Sequence, residues 1–237
     1  RMHPISADLF GGSYNGDVRI DASGPTASLS LNETIDGVDL AKLAEAMFDV
    51  QNITGSIAGN FKLGGRGNDM NGIRESLGGT MSFELSDGAY EGTDIWHELR
   101  KARAALRQET PPEATLPART QFTKISATGA VTDGVMRNDD FIAELPFMQV
   151  TGAGDVDLGG GTVDYGLQAR VFSKPELMGG ATPEEIEDFT KTVVPLKITG
   201  PLTSPSVRPD VEALLRSKVE EKVKEELEDK LKDLFNR

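Results

Sequence analysis

The chain has 237 residues, long enough to bury a core as one sizeable domain or two small ones. Its 25 Lys and Arg stand against 38 Asp and Glu, a formal net charge of −13, which argues against a general nucleic-acid binder because phosphates need a basic face. With no cysteine, disulfides, thiolate catalysis and Cys-ligated zinc are excluded, and two histidines, His3 and His97, leave little for imidazole or zinc chemistry.

The opening Arg1-Met2-His3-Pro4 lacks the apolar stretch of a signal peptide. No run of 18 apolar residues follows that could span a bilayer as a helix. Because pattern begins at once, near Ile5, the chain is expected to be a piece of something longer. Tyr14, Val18 and Ile20 alternate with Asn15, Asp17, Arg19 and Asp21, the period of a half-buried strand. Asn15-Gly16 within this run reads as a hairpin turn or a bulge. After Gly24-Pro25, Ala27, Leu29 and Leu31 alternate with Ser28, Ser30 and Asn32. Asp39 then caps a short helix carrying Leu40, Leu43, Ala44 and Met47 on one face.

Strand periodicity returns in Ile57, Phe61 and Leu63, and in Met81, Phe83 and Leu85, followed by a second turn signal at Asp87-Gly88. Asp94 caps a helix whose stripe of Ile95, Leu99, Ala102 and Leu106 lies opposite Arg100, Lys101, Arg103 and Arg107. Prolines 111, 112 and 117 end it, and 108–119 is expected to be a mobile loop. Asp133-Gly134 marks a third turn. Phe141-Ala143-Leu145, Val156-Leu158 and Val163-Tyr165-Leu167-Ala169-Val171 are further strands. Thr182-Pro183-Glu184-Glu185 has capping-box spacing for a helix that must end before Pro195. From Asp210, apolar residues every fourth position, from Val211 through Leu215 to Phe235, predict a C-terminal amphipathic helix whose apolar band winds round it, since a turn takes 3.6 residues.

These patterns predict a mainly β protein: an antiparallel sheet with one wet face, a few short helices and a long C-terminal helix, divided as a sheet domain over 1–207 and a helix over 208–237. Asp155 with Asp157, or Asp139 with Asp140, could serve as paired carboxylates, but without a nucleophile motif or phosphate loop no enzyme is expected. Gly152 to Leu158 is similar to one degenerate calcium-roll repeat and reads better as strand and turn, so neither metal nor cofactor is expected.

The stretch Leu77 to Ile95, Leu-Gly-Gly-Thr-Met-Ser-Phe-Glu-Leu-Ser-Asp-Gly-Ala-Tyr-Glu-Gly-Thr-Asp-Ile, resembles a segment of the AsmA family. Phe122, Ile125, Asp133-Gly134-Val135, Pro146-Phe147, Thr151 to Leu158, Val163 to Leu167, Val194 to Leu202 and Arg208-Pro209-Asp210 follow in the order of that family's C-terminal region. Pro201 departs from the pattern, where Thr or Ser follows the glycine. The resemblance implies a curved β-groove of the kind found in bridge-like lipid-transfer proteins. It also implies a periplasmic body anchored in the inner membrane of Gram-negative bacteria by a preceding segment, with a role in phospholipid transport and outer-membrane homeostasis.

On that reading Met81, Phe83, Leu85, Val156, Leu158, Tyr165 and Leu167 are candidates to line the lipid groove, against the alternative of an ordinary dry core. Trp96, Arg100, Lys101, Arg103 and Arg107 are candidates for headgroup or membrane contact, against a plain solvated helix face and a packed tryptophan. The expected partners are phospholipid and envelope or outer-membrane proteins, with no nucleic acid. The competing function is a docking module that holds no lipid and meets an envelope partner through a sheet edge or the C-terminal helix.

Overall fold

A computed structural model describes residues 2–114, 117–173 and 182–210, with 212, 213 and 216. Eleven strands form one open antiparallel sheet in which each strand pairs only with its neighbours in sequence. They are β1 (Met2–Leu9), β2 (Gly12–Asp21), β3 (Ser28–Asp39), β4 (Ile53–Arg66), β5 (Gly78–Glu91), β6 (Arg119–Thr132), β7 (Val135–Leu145), β8 (Met148–Asp157), β9 (Thr162–Val171), β10 (Val193–Pro201) and β11 (Ser206–Pro209). Four short helices interrupt the meander: α1 (Leu40–Phe48), α2 (Met70–Glu75), α3 (Ile95–Arg107) and α4 (Pro183–Lys191).

Register turns the alternation within each strand into continuous apolar rows across the sheet. Near one end, Val38, Ile57, Leu85, Ile125, Ala143, Val150, Ala169 and Val194 stand opposite one another strand by strand. Towards the other end run Val18, Leu31, Leu63, Gly79, Val131, Met136, Val156 and Val163. The intervening positions form polar rows on the opposite face, such as Asn32, Lys62, Thr80, Ala130, Arg137, Asp155 and Asp164. A single-residue slip would exchange the two faces, so burial of one face selects the register.

Bulges curl the sheet. Pairing shifts between Ile35 and Val38, Thr54 and Ser56, Ser126 and Ala130, and Asn138 and Phe141, and each extra residue adds local twist. Asp140 secures the β6–β7 irregularity: its carboxylate accepts from the Thr128 backbone N–H at 2.8 Å, the Thr128 hydroxyl at 2.6 Å and the Asn138 amide at 2.5 Å.

Of the three Asx-Gly pairs, Asp133-Gly134 is the turn joining β6 and β7, with φ of 49° and 75° at the two positions, as a two-residue hairpin demands. Asn15-Gly16 instead lies in regular pairing inside β2, neither turn nor bulge. Asp87-Gly88 lies inside β5, at the bulge against β4, with Asp87 at φ 49°. An Asx-Gly pair supplies cheap positive φ wherever the chain needs it, and a bulge uses that as readily as a hairpin.

The predicted caps are all present. Asp39 accepts from Lys42 N, Asp94 from Trp96 N and His97 N, and Thr182 and Glu185 complete the capping box. α2, capped by Asp69, has no counterpart in the predicted elements. β11 extends the sheet to Pro209, two residues past the predicted boundary. Beyond it, the Asp210 carboxylate accepts from Ala213 N at 2.9 Å, and most of the predicted 208–237 helix lies outside the described residues.

Thr128 holds the Asp140 carboxyl below the usual aspartate range, through its hydroxyl first and its backbone N–H second. A folded-state value below the unfolded one contributes stability above the ordinary aspartate range and loses it as pH falls through the lowered value. Asp140→Asn is therefore expected to cost about 1 kcal/mol at neutral pH, allowing for the exposure of the site. Urea titrations should show this deficit closing under acid conditions.

Candidate functional site

The apolar face divides into a sealed part and an open part. The sealed part lies under the helices. α1 packs on β3 and β4, α4 on β9 and β10, and α3, which leaves β5, reaches the edge strand β11. Val38, Met148, Val171 and Leu196 beneath them, and Leu99 on α3, are buried almost completely. The open part spans β2 to β5, where Leu29, Leu31, Leu63 and Met81 are half-buried, Phe61 and Phe83 are half-buried with one side against the core, and Ile20 is 61% exposed.

This partition sorts the predicted groove residues. Met81 and Phe83 sit side by side along β5, facing Phe61 and Gly59 of β4, and belong to the open trough. Val156 is half-buried in the far row, and half-buried Leu158 falls just past the end of β8. Leu85, Tyr165 and Leu167 lie in the dry core. Burial pushes the Tyr165 phenol up to about 12, with smaller contributions from the charges of Asp155 and Asp140, so it stays neutral. Leu31, Phe61 and Leu63 complete the open lining. Their alternation was visible in the sequence, but only cross-strand register places them beside Met81 and Phe83.

One acidic side chain occupies an apolar-face position in the trough. Glu33, 9% exposed, stands between Gly16 of β2 and Phe61 of β4. Its carboxylate lies over Gly16, where any Cβ would collide with it. The neighbouring Tyr14 phenol is pushed up to about 12, first by burial and then by the adjacent Glu33 carboxylate.

The basic stripe of α3 is turned towards α4. Arg100 Nε donates to Glu185 Oε1 at 3.3 Å, with both side chains about nine-tenths buried. Arg103 Nε donates to Asp188 at 2.8 Å and its Nη1 reaches Glu109 at 3.0 Å. Arg107 meets Glu184 at 2.8 Å and Asp188 at 2.6 Å. Lys101 pairs with Glu98 on its own helix. Trp96, 3% exposed, stacks at a tilt on Phe189 of α4 (5.0 Å) and edge-on to Phe147 (5.9 Å). These five residues are thus packed or ion-paired within the fold; the sequence marks the helix at Thr182, but only the fold brings its carboxylates onto the three arginines from 77–85 positions away.

The polar face carries an open recess of about 1010 Å³, lined by Asn60, Lys62, Thr80, Thr128, Arg137 and Asp155 among others. Arg137 lies 3.7 Å from Asp155, and Lys197 pairs with Asp164 at 3.2 Å, so the charges there largely answer one another. No group of three or more potential metal-ligating side chains occurs among the described residues.

The sequence pattern of the AsmA family matches residues 1–141. The chain belongs to the AsmA family. It is also similar to Protein AsmA of Escherichia coli (strain K12), with 24% identity over 200 residues, 83% of this chain and 31% of that protein. The chain thus spans less than a third of that relative's length, and no solved structure matches it. The AsmA match takes in β1 to β5 and the whole open trough, including the strands before the Leu77–Ile95 segment. α3 lies inside the matched region and α4 outside it, so the AsmA pattern covers the arginines but not the carboxylates they meet.

Truncating one partner of a buried ion pair leaves the other charged and dry. Arg100→Ala is expected to destabilise the fold by about 2–4 kcal/mol. Arg107→Ala, at a more exposed pair, should cost less than about 1 kcal/mol. Urea unfolding followed through Trp96 emission measures both.

Proposed function

We propose that this chain is a lipid-shielding module of the bacterial envelope, acting in the periplasm in phospholipid movement between the inner and outer membranes and in outer-membrane homeostasis. The observation that carries the reading is the open part of the apolar face. A set of aliphatic and aromatic side chains, from Ile20 through Leu31, Leu63 and Phe61 to Met81 and Phe83, interrupted by Glu33 and Gly79, is left only partly covered beside a part of the same face that is sealed.

Acyl chains suit such a surface. Each CH₂ removed from water contributes about 0.8 kcal/mol and requires no directional partner. Slots of similar chemistry hold a chain at many registers with similar energy, so it can slide, and the headgroup remains in water at the trough rim. No bond is made or broken, and the work is done by exclusion of water alone. Family membership supports the assignment to the envelope.

Native mass spectrometry with lipid extraction, on protein purified without detergent, tests this reading. Near-stoichiometric phospholipid is expected, lost on Phe83→Asp or Leu31→Asp and retained on Phe172→Asp, a substitution at an exposed site after β9. A folded, monodisperse, lipid-free wild-type protein would overturn the reading in favour of a docking module.

A further inference from the structure

We infer that α4 is a displaceable lid over a second stretch of acyl-chain surface, latched by the α3 arginines and opened when phospholipid occupies the trough. The inference rests on the acyl-shielding reading above. It begins from the continuity of the apolar rows. Leu85 and Ile57, at the border of the open trough, lie in the same row as Val150, Ala169 and Val194 under the helices, and Leu167 and Leu196 face each other just inside it. The surface beneath α4 is therefore chemically an extension of the trough, distinguished only by its cover.

That cover is held unusually for a core helix. α4 buries only Glu185 and Phe189. Ile186 and Asp188 are half-buried, and the rest of the helix faces water. Its attachment to α3 runs through long side chains: Arg100 to Glu185, Arg103 to Asp188, and Arg107 to both Glu184 and Asp188. Such pairs orient α4 firmly but contribute little net free energy, because forming them removes charges from water. The closed arrangement also leaves the buried indole N–H of Trp96 without a hydrogen-bond partner among the described residues, a cost that closure must bear. Phe189, seated against Trp96, is the one large apolar group that α4 contributes, and a segment of acyl chain offers the same contact. Exchange of Phe189 for an acyl chain keeps the apolar rows dry while returning the buried Glu185 carboxylate to water.

Two features of the chain make this directly testable. Trp96 is the sole tryptophan, and there is no cysteine. The full chain is loaded from vesicles of phosphatidylethanolamine and phosphatidylglycerol whose acyl chains carry bromine, which quenches tryptophan only at short range. Bound lipid is counted by native mass spectrometry. Loss of Trp96 emission is expected in the wild-type protein. It should be abolished in Arg103→Cys/Asp188→Cys protein joined by a short cleavable cross-linker, although lipid remains bound in the open trough, and should return when the linker is cut. Equal quenching with the linker intact and cut, or none in wild-type protein that carries lipid, would overturn the lid while leaving the shielding reading in place. Absence of bound lipid altogether would overturn both.

Discussion

Everything in this molecule follows from one constraint: a meander sheet that does not close on itself exposes a whole apolar face that must be covered. In a barrel the face covers itself, and in a sandwich a second sheet does so. Here strand follows strand from β1 to β11 without return. The cover comes from short helices inserted at the strand ends, α1 after β3, α2 after β4, α3 after β5 and α4 after β9. Four helices of six to thirteen residues cannot cover eleven strands. The uncovered remainder, over β2 to β5, is the candidate site.

The same constraint explains the charge pattern. A basic helix face in a chain of net charge −13 invites an external anionic partner, yet the anions it meets are the chain's own, on α4 and at Glu98 and Glu109. Arginine suits this place because its planar fork can satisfy two carboxylates at once, as Arg107 does with Glu184 and Asp188. The aromatic contact of Trp96 with Phe189 and Phe147 sits behind these ion pairs and keeps water from one side of them. Charge at the rim and apolar contact beneath give α4 a defined seat with modest adhesion.

The polar face has a quieter role. Its rows of Asn, Ser, Thr and paired charges keep the second side of the sheet wet, so that side needs no covering layer. Bulges set how that sheet curls, and Asp140, Thr128 and Asn138 hold one of them with hydrogen bonds that neighbouring backbone pairing would otherwise supply. Glu33 is the exception on the opposite face, a carboxylate placed where the glycine at position 16 makes room for it.

By itself the sequence determined the strand periodicity, the helix starts at Asp39, Asp94 and Thr182, and the mainly β antiparallel class, because alternation and capping act over a few residues. It also carried the AsmA motif. The tertiary structure decided what depends on partners distant in the chain. Leu85, Tyr165 and Leu167 have the same alternating signature as Met81 and Phe83, and only the cover placed over each row made the first three core and the last two trough. Asn15-Gly16 and Asp133-Gly134 are alike as dipeptides, and only pairing with β1 and β3 kept the former straight. Arg100, Arg103 and Arg107 form a basic stripe in any context, and only the fold brought Glu184, Glu185 and Asp188 onto it. Local patterns record which face a side chain takes, whereas what lies above that face is a property of the whole chain.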